Sequence, residues 1–268
     1  MTLSLPKALE PYRSDIEKTV VPFVTIQATR QSTSLKGSKI GGFPYLPDGV
    51  SYPLDSSGLP MALLCQLNFE EIPHLEHFPT TGILQFYLSK NDDVMGMDFD
   101  NPTNQSNFRV IYHENIEPPH AIDFFTSENS IEEHLPYNGE YRLSFFLSKE
   151  ALGVSDFQFE ESYESIDMDQ VTGEENMWGE ETLYDLFCES VENMGHKIGG
   201  YAFFTQTDPR DYGTQFDDYR ITLLQIDTDD EGENDIMWGD AGVGNFFITK
   251  EDLRNKDFSR VLFNWDCH

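Results

Sequence analysis

Four short blocks of this chain occur twice, in the same order. Lys39-Ile40-Gly41-Gly42-Phe43 returns as Lys197-Ile198-Gly199-Gly200-Tyr201, and Leu63-Leu64-Cys65-Gln66-Leu67-Asn68 as Leu223-Leu224-Gln225-Ile226-Asp227. Gly82-Ile83-Leu84-Gln85-Phe86-Tyr87-Leu88-Ser89-Lys90 returns as Gly242-Val243-Gly244-Asn245-Phe246-Phe247-Ile248-Thr249-Lys250, and Arg109-Val110-Ile111-Tyr112 as Arg260-Val261-Leu262-Phe263. Similarity of this kind reports a supersecondary unit that shares its core with its copy. One copy is too short to bury a generous core alone. The expectation is therefore one compact domain over 1–268, built from repeats at about 36–113 and 196–264 with an insert at 114–195. Phe86 and Phe246 should occupy equivalent core positions.

Local patterns supply the elements. Ala8 to Thr19 reads as a helix, with Leu9, Tyr12 and Ile16 on one face and Pro11 tolerated only in the first turn. Val20 to Thr29, Met61 to Asn68, Gly82 to Ser89, Phe108 to His113, Ile122 to Thr126 and Tyr141 to Ser148 read as strands. In the second copy Lys197 to Gln206, Tyr219 to Asp227, Val243 to Thr249 and Ser259 to Asn264 do so. Ser155 to Met177 is acidic with little periodicity and reads as a solvated loop. Glu181 to Met194 reads as an amphipathic helix with Leu183, Leu186, Phe187 and Val191 on its stripe. Strands joined by polar turns favour antiparallel pairing. The fold class is mainly β, a β-rich α+β chain: an internally duplicated antiparallel roll or sandwich with pseudo-two-fold symmetry and a few peripheral helices.

Charge narrows the partners. The 48 Asp and Glu outnumber the 17 Lys and Arg, a formal net charge of −31. Such a field repels nucleic-acid phosphates and anionic membrane surfaces and attracts divalent cations or a basic partner. Apolar residues at 38% and aromatics at 13% mark a folded chain and not an acidic tail. Three widely spaced cysteines, Cys65, Cys188 and Cys267, give no disulfide framework and suit a reducing compartment. With no basic and apolar leader and no long apolar run, the expected location is the cytoplasm.

The motifs Lys39-Ile40-Gly41-Gly42-Phe43-Pro44-Tyr45-Leu46-Pro47, Leu64-Cys65-Gln66-Leu67-Asn68, His196-Lys197-Ile198-Gly199-Gly200, Leu224-Gln225-Ile226-Asp227 and Trp238-Gly239-Asp240-Ala241-Gly242 together resemble the YwqG-like family of bacterial proteins. The resemblance spans about Thr33 to Asp266. It implies a mainly β roll and a cytoplasmic bacterial origin, and it carries over no catalytic residues.

Two constellations are candidates for chemistry. Trp238, Asp240 and His196 form a binding set, with Trp238 as an aromatic anchor and Asp240 as its polar contact; the competing reading is a turn stabilised by an Asp beside Gly. Asp227, Asp229, Glu231 and Asp235 offer oxygens to a cation, and calcium is the ion they suggest. The twelfth position of an EF-hand loop falls on Trp238 where a bidentate Glu is required, so any site is irregular, the competing reading being a solvated hairpin tip. His74 and His77 lack a third ligand of defined spacing, and neither Gly-Gly pair has the Walker spacing. No catalytic residue is assigned and no cofactor is required. The leading function is an acidic binding module, of inhibitor or immunity type, for a basic protein. The alternative is a metal-assisted hydrolase or lyase using the acidic loop, His196 and Asp240.

Overall fold

The computed structural model describes residues 3–91, 93–118, 134–177, 179–211 and 214–268. The strand expected at Ile122 to Thr126 lies outside them. The chain opens on a 3-10 turn, Glu10–Tyr12, that leads into α1 (Arg13–Lys18), so Pro11 sits ahead of the α-helix where its missing N–H costs nothing. There follow β1 (Val21–Arg30), β2 (Lys39–Ile40), β3 (Ala62–Asn68), β4 (Ile83–Leu88), β5 (Phe108–His113) and β6 (Tyr141–Glu150). After α2 (Phe159–Ser162), a hairpin of β7 (Val171–Asn176) and β8 (Gly179–Thr182) and α3 (Leu183–Ser190), the chain enters β9 (Lys197–Gly199), β10 (Ile221–Asp227), β11 (Val243–Ile248), α4 (Lys250–Asn255) and β12 (Leu262–Asp266).

Ten strands make one antiparallel sheet in the order β12-β11-β10-β9-β1-β6-β2-β3-β4-β5. At its centre β1 and β6 pair along their whole length, from Val21 opposite Glu150 to Arg30 opposite Tyr141. The two flanks read outward in the same way. Lys39 pairs with Gln66 and Lys197 with Gln225. The register slips between Leu63 and Cys65 in β3, and between Thr222 and Leu224 in β10. Phe86 lies opposite Cys65, and Phe246 opposite Leu224.

The sheet curls until its ends meet. The Phe86 and Phe246 rings are 4.9 Å apart and those of Phe108 and Phe263 5.3 Å apart, all four fully buried. The β12 edge is not left open to water: Phe263 N–H donates to Pro102 O at 2.9 Å, and Trp265 Nε1–H to Val94 O at 2.8 Å. Covering an edge in this way removes a template for aggregation. Every residue of β4 and β11 is buried, because the convex faces carry small clusters of their own around Tyr87 and Phe247. A separate cluster joins Leu9 and Ile16 to Phe159, Tyr163, Leu183 and Phe187.

Two expectations need correction here. Ser155 to Met177 is not a solvated loop: Phe159, Tyr163 and Ile166, spaced four and three residues apart, anchor it in that cluster, and α2 and β7 lie within it. The strand expected over Lys197 to Gln206 stops at Gly199, since Gly199 and Gly200 both adopt positive φ (72° and 70°) and turn the chain out of the sheet.

Both Lys-Ile-Gly-Gly turns are built alike. The buried Lys39 Nζ donates to Phe43 O at 3.1 Å and to Glu140 at 3.4 Å; Lys197 Nζ donates to Tyr201 O at 3.0 Å and to Glu150 at 2.7 Å. Burial pulls the Lys197 ammonium below its usual pKa, and the Glu150 charge opposes that shift. Behind each turn stands a buried glutamine. Gln66 donates to Leu35 O and Gly37 O and accepts from Tyr45 N–H; Gln225 donates to Asn193 O and Gly195 O and accepts from Phe203 N–H. Gln85 and Asn245, on the next strands, close the pattern through Tyr45 O and Phe203 O.

The glycines of these turns are required by contact as well as by φ. A Cβ on Gly200 would stand 2.0 Å from Glu150 Oε1, whereas one on Gly58, at φ +78°, meets nothing within 4 Å. Gly58→Ala should cost about 1–2 kcal/mol, the left-handed penalty alone. Gly200→Ala should lose at least twice that in urea denaturation, and equal losses would show that the glutamate can move aside freely.

Candidate binding site

The segment that follows β10 folds back over β1, and His196 lies beneath it. The His196 carbonyl accepts from Ile26 N–H at 2.9 Å, and its Nδ1 accepts from Asp227 N–H at 2.9 Å. A ring nitrogen that accepts has no proton, so in the neutral ring the proton is on Nε2. That Nε2 is buried 3.5 Å from Asp229 Oδ2, at the outer limit of hydrogen-bond distance, and has no closer polar partner.

The carboxylates around it are fixed differently. Asp227 turns inward and accepts from Gly195 N–H at 2.6 Å and Thr228 N–H at 2.8 Å. Burial nevertheless raises its pKa above the ordinary carboxylate value, against the pull of those two donors. Asp229 accepts from Glu231 N–H at 3.2 Å and Asn234 Nδ2 at 2.7 Å. Its carboxyl is held below the usual value, chiefly by His196 and then by these donors. Asp230 and Glu231 are exposed at the rim. Asp235 faces the other way, with its carboxylate on Asn138 Nδ2 at 3.0 Å. Between this loop and residues 26–29 of β1 lies an open concavity of about 630 Å³, with no Lys or Arg among the described residues that line it.

The residues singled out in the sequence are thus only partly brought together. His196, Asp227 and Asp229 meet, and Glu231 shares the concavity with His196 and Asp229. The four acidic residues do not converge on one point, because Asp227 and Asp235 are turned to separate hydrogen-bond partners. Among the described residues no group of three or more His, Cys, Asp or Glu is placed to hold a metal ion. Asp240 does not line the concavity; it is exposed in a turn where its carbonyl accepts from His268 N–H at 3.2 Å.

Trp238 is fully buried and offers no ring to a partner. It closes a tight turn in which Gly242 N–H donates to its carbonyl at 2.7 Å, and it packs flat on Gly244, where a Cβ would come within 2.2 Å of the indole. Trp265 and Phe263 stand about 6 Å from it (6.0 and 6.2 Å). The anchor role expected for Trp238 is therefore replaced by a core role: its local sequence predicts a turn, and Gly244, one strand position into β11, makes the space that draws the ring in.

Sequence reasoning missed Asn234 and the open flank of β1. Asn234 Nδ2 bridges Asp229 to Ala28 O, the latter at 3.1 Å, and so ties the acidic loop to the central strand. The available signal was Gly195, whose φ of 85° turns the chain away from β1 before Lys197.

The family model for a domain of unknown function, DUF1963, matches residues 38–267. The chain belongs to the DUF1963 family. No curated protein matches it. The DUF1963 region takes in both glycine turns, the acidic loop and the Trp238 turn, while β1, one wall of the concavity, precedes it. No described helix of this DUF1963 protein is long and apolar enough to cross a membrane.

Replacing Trp238 with Ala should destabilise the fold by about 3–5 kcal/mol, as for other large-to-small core changes. Thermal melting checks this directly. A melting temperature that barely moves would restore the ring to the role of a surface anchor.

Proposed function

We propose that this DUF1963 protein is a binding module whose acidic concavity receives a basic segment of a partner protein. The observation that carries the reading is the concavity itself: Asp229 held in place by three neighbours, Asp230 and Glu231 exposed at the rim, and no Lys or Arg among the described residues of its lining. A net charge of −31 steers basic partners toward the molecule, and a cleft lined by one sign of charge focuses that field. The surrounding sheet acts as a scaffold, which we take to be one folding unit made of two copies of a four-strand motif, on the strength of the matching registers and glutamine contacts.

The competing enzymatic reading loses support from His196. With Nδ1 accepting from Asp227 N–H, the neutral ring presents a proton at Nε2 and no lone pair for a base or a metal ligand. Asp240, its expected companion, lies elsewhere.

Localised recognition is separable from diffuse attraction. Binding of a fluorescent nine-residue peptide of alternating Lys and Thr is measured by anisotropy at low salt. Reversing Asp230 and Glu231 together to Lys should weaken it about tenfold or more, equivalent to about 1.4 kcal/mol. Reversing Glu174 and Glu175, exposed on the β7 strand, changes the net charge equally and should matter little. Equal losses from both pairs would mean that the concavity is not the site.

A further inference from the structure

The concavity is also a gap in the sheet. Strands in an antiparallel ladder turn alternate residues toward each neighbour. Ile26 N–H donates to His196 O, so the even-numbered residues of β1 face the β9 side. β9 pairs with β1 only from Phe23 to Thr25 and, through that last bond, at Ile26; then Gly195 takes the chain away. Ala28 and Arg30 consequently present their backbone to a space where, among the described residues, no strand of the sheet runs, while the Arg30 side chain reaches Glu233 O at 3.2 Å. Ala28 O is reached by Asn234 Nδ2, and its N–H, on the same side of the strand, faces the gap. A backbone donor thus faces the floor, and carboxylates line the rim.

A matching gap flanks β6 on the other side. β2 pairs only with Tyr141 and Arg142, Leu143 N–H reaches Ser38 O at 3.3 Å, and beyond lies a concavity of about 370 Å³. That one is lined by Arg142 and the half-apolar run Leu143 to Phe146, with Glu71 the one acidic residue among its described lining. The two gaps occupy equivalent places in the two flanks and differ in charge. Only the β1 gap combines open backbone donors with a carboxylate rim.

We propose that an extended basic segment of a partner protein adds to β1 at Ala28–Arg30 as a short strand. Its backbone carbonyl accepts from Ala28 N–H, its backbone N–H donates to Arg30 O, and its Lys or Arg side chains reach Asp230 and Glu231. This deepens the binding reading given above and rests on it. In strand addition the main-chain bonds hold the peptide, and side-chain pockets select its sequence. Here the selection is for positive charge. A second copy of this chain is disfavoured by its own charge, and a nucleic acid by its phosphates.

The test compares the alternating Lys-Thr peptide with one in which two central Thr are replaced by Pro, which keeps the charge and removes two backbone N–H groups. The unsubstituted peptide should bind about tenfold more tightly and slow amide hydrogen exchange at Ala28. Ala28→Pro, which removes the strand's free donor, should lower the affinity for the unsubstituted peptide to that for the Pro peptide; far-ultraviolet circular dichroism verifies that this variant folds. Should it not fold, the Ala28 amide proton resonance of the unaltered protein gives the second readout, shifting downfield only with the unsubstituted peptide. Equal affinities with unchanged Ala28 exchange would overturn strand addition, while the effect of reversing Asp230 and Glu231 would still stand for the binding reading. Failure of both peptides to bind at low salt would overturn both.

Discussion

One strand carries the two carboxylates on which both flanks of the sheet depend. Glu140 immediately precedes β6 and Glu150 ends it, and each receives the buried lysine of a Lys-Ile-Gly-Gly turn. Glu150 also accepts Tyr201 N–H at 2.7 Å, and Glu140 accepts Thr33 N–H at 3.1 Å, so each carboxylate binds backbone as well as charge. Buried pairs of this kind add little net stability over an apolar replacement, but removing one partner strands a charge and costs about 3–5 kcal/mol. Their value here is geometric. They fix where β2 and β9 begin and how the chain leaves them, and the buried glutamines Gln66 and Gln225 then lock the preceding segments against β3 and β10.

The concavity beside β1 follows from that geometry. Because both glycine turns are short and tightly held, β2 and β9 cover only part of the long central pair, and an uncovered stretch remains on either side of β1 and β6. The sequence between β10 and β11 decides what becomes of one of them. Asp229 is oriented by His196 and Asn234, the loop stands off β1, and Asp230 and Glu231 are left at the mouth. In the binding reading proposed above, a sheet edge bordered by a charged loop joins a preformed backbone template to selectivity for the sign of the ligand.

Much of the fold was legible because the period of the apolar residues and the turn glycines agreed. The strands at Ala62–Asn68, Ile83–Leu88 and Val243–Ile248 lie where the patterns placed them, and Phe86 and Phe246 share the core. The mainly β class follows. The site was less legible. Trp238 beside Gly239 and Asp240 looks like an exposed recognition turn, and only the gap left by Gly244 on the neighbouring strand shows why the indole is inside. The four carboxylates of the acidic loop are close in sequence, yet their directions are set by Gly195, Asn138 and Asn234, distant or unremarked partners that spacing does not expose. The free flank of β1 is a property of sheet topology, and no local pattern encodes it.

The dependence of both flanks on β6 is tested most directly by amide hydrogen exchange in the Glu150→Gln variant, followed in β3 and β10 together. Loss of the carboxylate should lower the exchange free energy of the most protected amides in both strands by the same amount, about 3–5 kcal/mol, since opening either flank then requires opening the whole sheet. Loss of protection confined to β10, with β3 unchanged, would contradict it and show that the two flanks unfold as separate units.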